Sequence, residues 1–324
     1  MTWNHVFARD LLSVYRSRTG TAVAAILALF TVVVVGLTAL AADLPAVAAV
    51  FTLVTVGAVV AMVFLGSPRT VAAFVGVFVV LAVGLTAALA TPEQPPDNRT
   101  GVLMISGALS LVVPLVGLLG SYAAIVGERT TGSVRFLLGL PNSREDAFVG
   151  KYLSRSAVVL VPLVAGVLLA AVVVATAFEN GSFLAIVGIG LVSIPYALLF
   201  VGLGLSASAV ADTDNRAVAM ALGAFVVLRA GWPALQWLGL RSIPPEQRFP
   251  RPEWYFWLGR VNPINAYVRA TQAFVEEFNH PLLTRPRGFS SPVITLEFAL
   301  LVLLVWALAT PLVGYWYFRR RDLL

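Results

Sequence analysis

The sequence predicts an all-α, polytopic integral membrane helix bundle with about eight transmembrane helices and both termini in the cytoplasm. Three features carry that expectation. Of 324 residues, 59% are hydrophobic and only 12% are charged. Several apolar runs reach the roughly 20 residues that cross about 30 Å of hydrocarbon at 1.5 Å rise per residue. The runs are continuous, with no alternation of apolar and polar residues, so helices that satisfy their own backbone groups are expected, not a closed barrel.

In chain order, the expected spans are 20–41, 45–65, 70–90, 102–126, 157–177, 183–206, 217–238 and 294–318. Before the first, WNHVFARDLLSVYRSR places Trp3, Phe7, Leu11 and Val14 on one helical face and His5, Arg9 and Arg16 on the other, so 1–19 reads as an interfacial helix on the headgroups. The small residues around Ala39 and Ala41 imitate a signal-peptidase site. The basic part before them is eighteen residues and the apolar part more than twenty, so a retained anchor is expected. Thirteen basic residues fall on the side of both termini and eight on the other, which puts the termini inside. Two N-x-[ST] triplets, Asn98 with Thr100 and Asn180 with Ser182, lie on the expected outer loops.

Between the fourth and fifth spans lies GERTTGSVRFLLGLPNSRED, the core of a 127–156 loop on the cytoplasmic side. Val134, Leu137 and Leu138 follow i, i+3, i+4 spacing and make a short amphipathic helix, which Gly139 and Pro141 end. Ser143 with Asp146 reads as a capping box that starts a helix running into the fifth span. On it Arg144, Lys151 and Arg155 share one stripe facing headgroups or an acidic partner. The segment 239–293 is proline- and arginine-rich, then aromatic. Asn262 and Pro263 start a helix with Tyr267, Ala270 and Phe274 on one face, so short helices lying in or dipping into the outer leaflet are expected.

Several function classes fall away. Cysteine is absent, which excludes disulfides and thiolate chemistry. Gly150 and Lys151 imitate a phosphate-binding loop, but Glu145 and Tyr152 stand where glycine and a hydroxyl residue are needed, so the chain is not its own ATPase and no directly bound cofactor is expected. Both histidines lie outside the spans and no carboxylate lies at mid-span, which argues against an intramembrane enzyme and an ion-coupled carrier. The net charge of +6 follows membrane topology, not a nucleic-acid patch. Arg229 is the ionisable residue well inside a span. It either lines a path for an anionic substrate or snorkels past an outer belt of Trp232 and Trp237. Ala123 with Gly127, and Gly202 with Ser206, permit close helix approach, within the chain or between copies.

The order Glu128, Gly132, Leu137, Leu138, Pro141, Ser143, Arg144, Gly150, Lys151 resembles the loop of type-two ABC transporter permeases. SYAAIVGE before it, ADTDNR, NPINAY and the closing YWYFRRRDL extend the likeness, which is similar to the branch with nitrous-oxide-reductase maturation permeases. The resemblance implies one permease domain over 1–324, in a plasma membrane and mostly of exporters, paired with a second permease copy or paralogue. It also implies that 128–144 is a coupling helix docking into a separate ATP-binding subunit, which holds the ATP and magnesium. Glu128, Arg129, Gly132, Val134, Arg135, Leu137, Leu138, Pro141, Ser143, Arg144 and Lys151 are then the partner-coupling residues. The chain departs from the family's usual six spans by a hairpin at 45–90. An assembly or anchoring protein, or a secondary carrier with no ATPase, is the alternative.

Overall fold

The computed structural model describes residues 3–16, 97–130, 143–248, 251–275 and 292–320. The expected spans 20–41, 45–65 and 70–90 and the loop core 131–142 lie outside the described residues. Those described are almost wholly helical: α1 (Trp3–Arg16), α2 (Asn98–Ser121), α3 (Val126–Thr130), α4 (Arg144–Ala177), α5 (Phe183–Val210), α6 (Asp214–Val226), α7 (Trp232–Arg241), α8 (Glu253–Val261), α9 (Pro263–Thr271) and α10 (Leu296–Arg320). Five stretches among them are long and apolar enough to cross a membrane: 98–129, 144–176, 183–210, 214–241 and 296–320. They coincide with the last five expected spans. The chain is an all-α polytopic membrane protein.

Local signals set most of the boundaries. Asp97, Ser182 and Thr213 each accept a backbone N–H three residues on, satisfying donors that the first helical turn leaves open. The capping box forms: Ser143 Oγ accepts from Asp146 N at 3.0 Å, and the Asp146 carboxylate accepts from Ser143 N at 3.3 Å. Helix α4 therefore runs unbroken for 34 residues, from the loop through the fifth span. Pro114, Pro162, Pro195 and Pro311 all lie inside helices.

Helix α5 is the axis of the bundle, packed by α2, α4 and α10. It is apolar all round, and Ile186, Ile189, Phe200, Val201 and Leu205 are fully buried. Glycines let its neighbours approach. A Cβ at Gly204 would lie 2.1 Å from Ser121 Oγ, and one at Gly202 would lie 2.4 Å from Thr310 Oγ1. The Gly202 and Ser206 pair thus packs within the chain, with the Ser206 hydroxyl donating to Thr310 O at 2.7 Å. The α6–α7 span lies at the edge, where Met220, Val226, Val227, Leu235 and Leu238 are exposed.

The two ends of the bundle differ. One, the basic end, holds α1, α3, the start of α4 and the end of α10. At the far end, the loops at Asp97 and Glu179 meet, Asn98 N donating to Glu179 O at 3.1 Å and Ser182 N to the Asn98 side chain at 2.9 Å. Helices α8 and α9 are not confined to the surface there. Asn262 caps α9 as its spacing predicts, and Ala266, Tyr267 and Ala270 are completely buried in the bundle. The Tyr267 ring stacks on Tyr196 with centroids 4.1 Å apart, while its hydroxyl lies 2.8 Å from that of Ser193.

In lipid, carbonyls freed at helix ends need donors from the protein. Gln236, Trp232 and Asn265 donate to the carbonyls of Tyr255, Leu258 and Gly259 at 2.9, 2.7 and 2.9 Å, and Trp306 to that of Val261 at 3.0 Å. A five-residue π-helical segment, Val227–Gly231, joins α6 to α7, and Asn262 Nδ2 donates to its Leu228 carbonyl at 2.7 Å. Trp232 is therefore a half-buried donor in the bundle, whereas Trp237 is exposed as a belt residue is expected to be.

Candidate coupling site at the basic end

The loop 131–142 leaves the described structure at Thr130 and returns at Ser143, and both of its ends sit on one cluster of charges. Helix α2 stops at Ser121, and after a turn α3 carries Glu128 and Arg129. The Ser208 hydroxyl of α5 accepts from Ile125 N and Val126 N at 2.9 and 3.0 Å, satisfying the donors at the start of α3. Arg129 reaches the end of α5, donating to Ala211 O at 2.9 Å.

On the returning side Asp146 serves two helices. Besides capping α4, its carboxylate accepts from Trp3 N at 3.0 Å and so holds the first turn of α1. The hydrogen bonds from Ser143 and Trp3 keep its pKa below the ordinary value. Helix α1 then crosses α4 at Gly150, where a Cβ would lie 2.7 Å from Val6 Cβ and 2.9 Å from Trp3 O. Only glycine permits that approach. The face of α1 that docks carries Val6 and Asp10, with Phe7 and Leu11 half-buried and Trp3 exposed. The apolar stripe on Trp3, Phe7 and Leu11 is thus rotated from the docking face, because α1 binds protein through a mixed apolar and charged surface. Val14 and Arg16 have no described side chains.

Under this crossing lies a buried ion cluster. Lys151 is 1% exposed, and its ammonium is 2.8 Å from Glu128 Oε1, 3.5 Å from Asp10 Oδ1 and 2.8 Å from the Ala124 carbonyl it donates to. Three acceptors meet three N–H groups. Arg155 grips the same Asp10 with two nitrogens, Nε and Nη2, each at 3.1 Å, and Ser154 donates its hydroxyl to Asp10. Arg9 adds a more exposed contact to Glu128 Oε1 at 3.2 Å. Burial pushes the Asp10 carboxyl up, but the charges of Lys151 and then Arg155, with the hydrogen bonds of Ser154 and Arg155, outweigh it, so its pKa lies below the usual 3.8.

Lys151 and Arg155 of the basic stripe on α4 therefore face acids of their own chain. Arg144, the first residue of α4, donates to Arg319 O at 2.9 Å and ties in the end of α10. Of the residues the sequence assigns to coupling, the structure brings Glu128, Arg129, Ser143, Arg144 and Lys151 to this end. Gly132, Val134, Arg135, Leu137, Leu138 and Pro141 lie outside the described residues. Arg229 stands apart, exposed on the π-helical segment. Sequence reasoning passed over Asp10, Ser154 and Ser208. The signal for Asp10 was present, as an acid one turn after Val6 with Lys151 and Arg155 one turn apart elsewhere, but nothing local joins them.

Charge pairs fix α1, α3 and α4 to one another where the loop departs and returns. A family model described as ABC-2 family transporter protein matches residues 86–323 of this chain. No curated protein matches it.

Proposed function

The chain belongs to the ABC-2 family of transporter proteins and is a membrane component of an ABC transporter, and from that premise we propose that it is an exporter's permease subunit, driven by a separate ATP-binding subunit that docks on 128–144. The observation that supports this reading is the ion cluster. Lys151, after the loop, pairs with Glu128 before it and, together with Arg155, with Asp10 of α1. A push on the loop then moves α1 and the 34-residue α4 together, instead of being absorbed in a slack connection.

In this reading the basic end faces the cytoplasm of a plasma membrane, ATP and magnesium stay in the partner, and a second permease copy or paralogue pairs with this one. Arg229, on the edge span, then belongs to the substrate path. We also propose the narrower kinship with nitrous-oxide-reductase maturation permeases, on the likeness that SYAAIVGE, ADTDNR, NPINAY and YWYFRRRDL extend.

The test replaces Leu137 and Leu138 together by aspartate. An apolar docking face predicts that the ATP-binding protein no longer co-purifies, or that its hydrolysis no longer depends on transport. Full coupled transport in that variant refutes the docking.

A further inference from the structure

At the far end, away from the coupling joint, α7 and α8 diverge around a cavity of about 410 Å³, within the usual range for small-ligand sites. Its polar wall is Arg251, Arg260, Gln236 and Asn265, and its apolar wall includes Trp237 and Tyr255. Among the described residues no aspartate or glutamate lines it. Arg260 is 2% exposed, and the Arg251 guanidinium lies over the Tyr255 ring, 4.9 Å from its centroid. Burial and then the positive charge of Arg269 push Arg260 down to about 10, so it stays protonated at neutral pH.

The walls are rigidly held. Gln236 donates to Tyr255 O and Asn265 to Gly259 O, each at 2.9 Å. A Cβ at Gly259 would lie 2.6 Å from the Gln236 amide, so α7 and α8 touch closely beside the opening. The exposed Trp237, Trp254 and Trp257, with Leu235 and Leu238, put this level at a membrane–water boundary.

We infer that this cavity binds the anionic, phosphate-type headgroup of an amphiphile in the adjacent leaflet, held by Arg251 and Arg260 with its first carbons against the aromatic wall. Guanidinium forks match phosphate oxygens, and basic pockets between membrane helices select anionic headgroups. The aromatic lining and the boundary position favour an amphiphile over a free anion. The site does not depend on the coupling proposal, and its test needs no ATPase.

The full-length protein in neutral detergent is titrated with phosphatidylglycerol or phosphatidylcholine, and retained lipid is counted by native mass spectrometry. Phosphatidylglycerol is expected to bind selectively. Arg251→Gln should weaken that binding about tenfold, as loss of one charge-assisted contact does. Arg260→Lys, which keeps the charge but loses the fork, should weaken it while the thermal midpoint holds. Arg99→Gln, a change at an arginine of the same end outside the cavity, should leave it unchanged. Equal retention of the two lipids, or wild-type binding by both cavity variants, overturns the site. Displacement of phosphatidylglycerol by millimolar inorganic phosphate overturns the amphiphile in favour of a free anion.

Discussion

Lys151→Met tests the joint most directly, because methionine keeps most of the side-chain volume and removes only the charge. The ammonium is 1% exposed and its two carboxylate partners, Glu128 and Asp10, are 21% and 2% exposed. Removing one partner of a buried ion pair costs about 3–5 kcal/mol, because the survivor is left charged and dry. Here Asp10 keeps both bonds from Arg155, and Glu128 keeps Arg9. That argues for the lower end, about 3 kcal/mol. The orphaned Ala124 carbonyl adds about 1 kcal/mol. At roughly 2–4 °C per kcal/mol for large domains, the apparent midpoint should fall by about 8–16 °C. Intrinsic tryptophan fluorescence in detergent reads it, at one scan rate for every variant, since such transitions are often irreversible. Arg216→Gln supplies the contrast, because its pair with Asp212 is 70% and 50% exposed and exposed pairs are worth little. A Lys151→Met midpoint within about 2 °C of wild type, on the same scale, refutes the buried joint. Adding Asp10→Asn should then cost less than it does alone, since the two residues share one network.

Gly150→Val should displace α1 from α4, costing about 1–3 kcal/mol by overpacking, and hydrogen exchange in α1 should rise while exchange in α5 does not. Unchanged protection of α1 would contradict the crossing. Asn262→Ala removes both the cap of α9 and the donor to Leu228 O and should cost about 2–4 kcal/mol, whereas Asn262→Asp keeps the cap and should recover part of it. Equal losses in the two variants would deny the cap any share. Asp10 has a folded pKa below 3.8, so its contribution is complete above that value and is lost as pH falls through the lower folded value. The thermal midpoint should therefore lose, below about pH 4, a component that Asp10→Asn lacks, and parallel acid profiles in the two proteins would exclude it.

What was legible in the sequence is what is local. The hydropathy of the last five spans, the Ser143 capping box and the Asn262 cap all act locally, and each appears in the structure where its spacing puts it. Apolarity alone marks the fifth span at 157–177, and the Ser143 capping box carries its helix back to Arg144, where α4 begins. Likewise Gly150 and Lys151 have the look of a failed phosphate loop in sequence, and in the fold they are a close crossing and the lysine beneath it.

The sequence by itself determined that this chain is a helical membrane protein and where its last five spans lie, since transfer of apolar side chains from water and the need to satisfy each backbone group are decided segment by segment. Only the tertiary structure decided which charges meet. Ser154 and Asp10 are 144 residues apart, and no local period relates them. The helices could turn either face inward on hydropathy alone, and the register that buries Lys151 is fixed by where Val6 fits Gly150 and where Asp10 finds two cations. The same holds at the far end. The Leu228 carbonyl needs a donor because in the π-helical turn Trp232 N–H bonds to Val227 O and Pro233, five residues after Leu228, has no N–H; Asn262 supplies the donor from outside the segment.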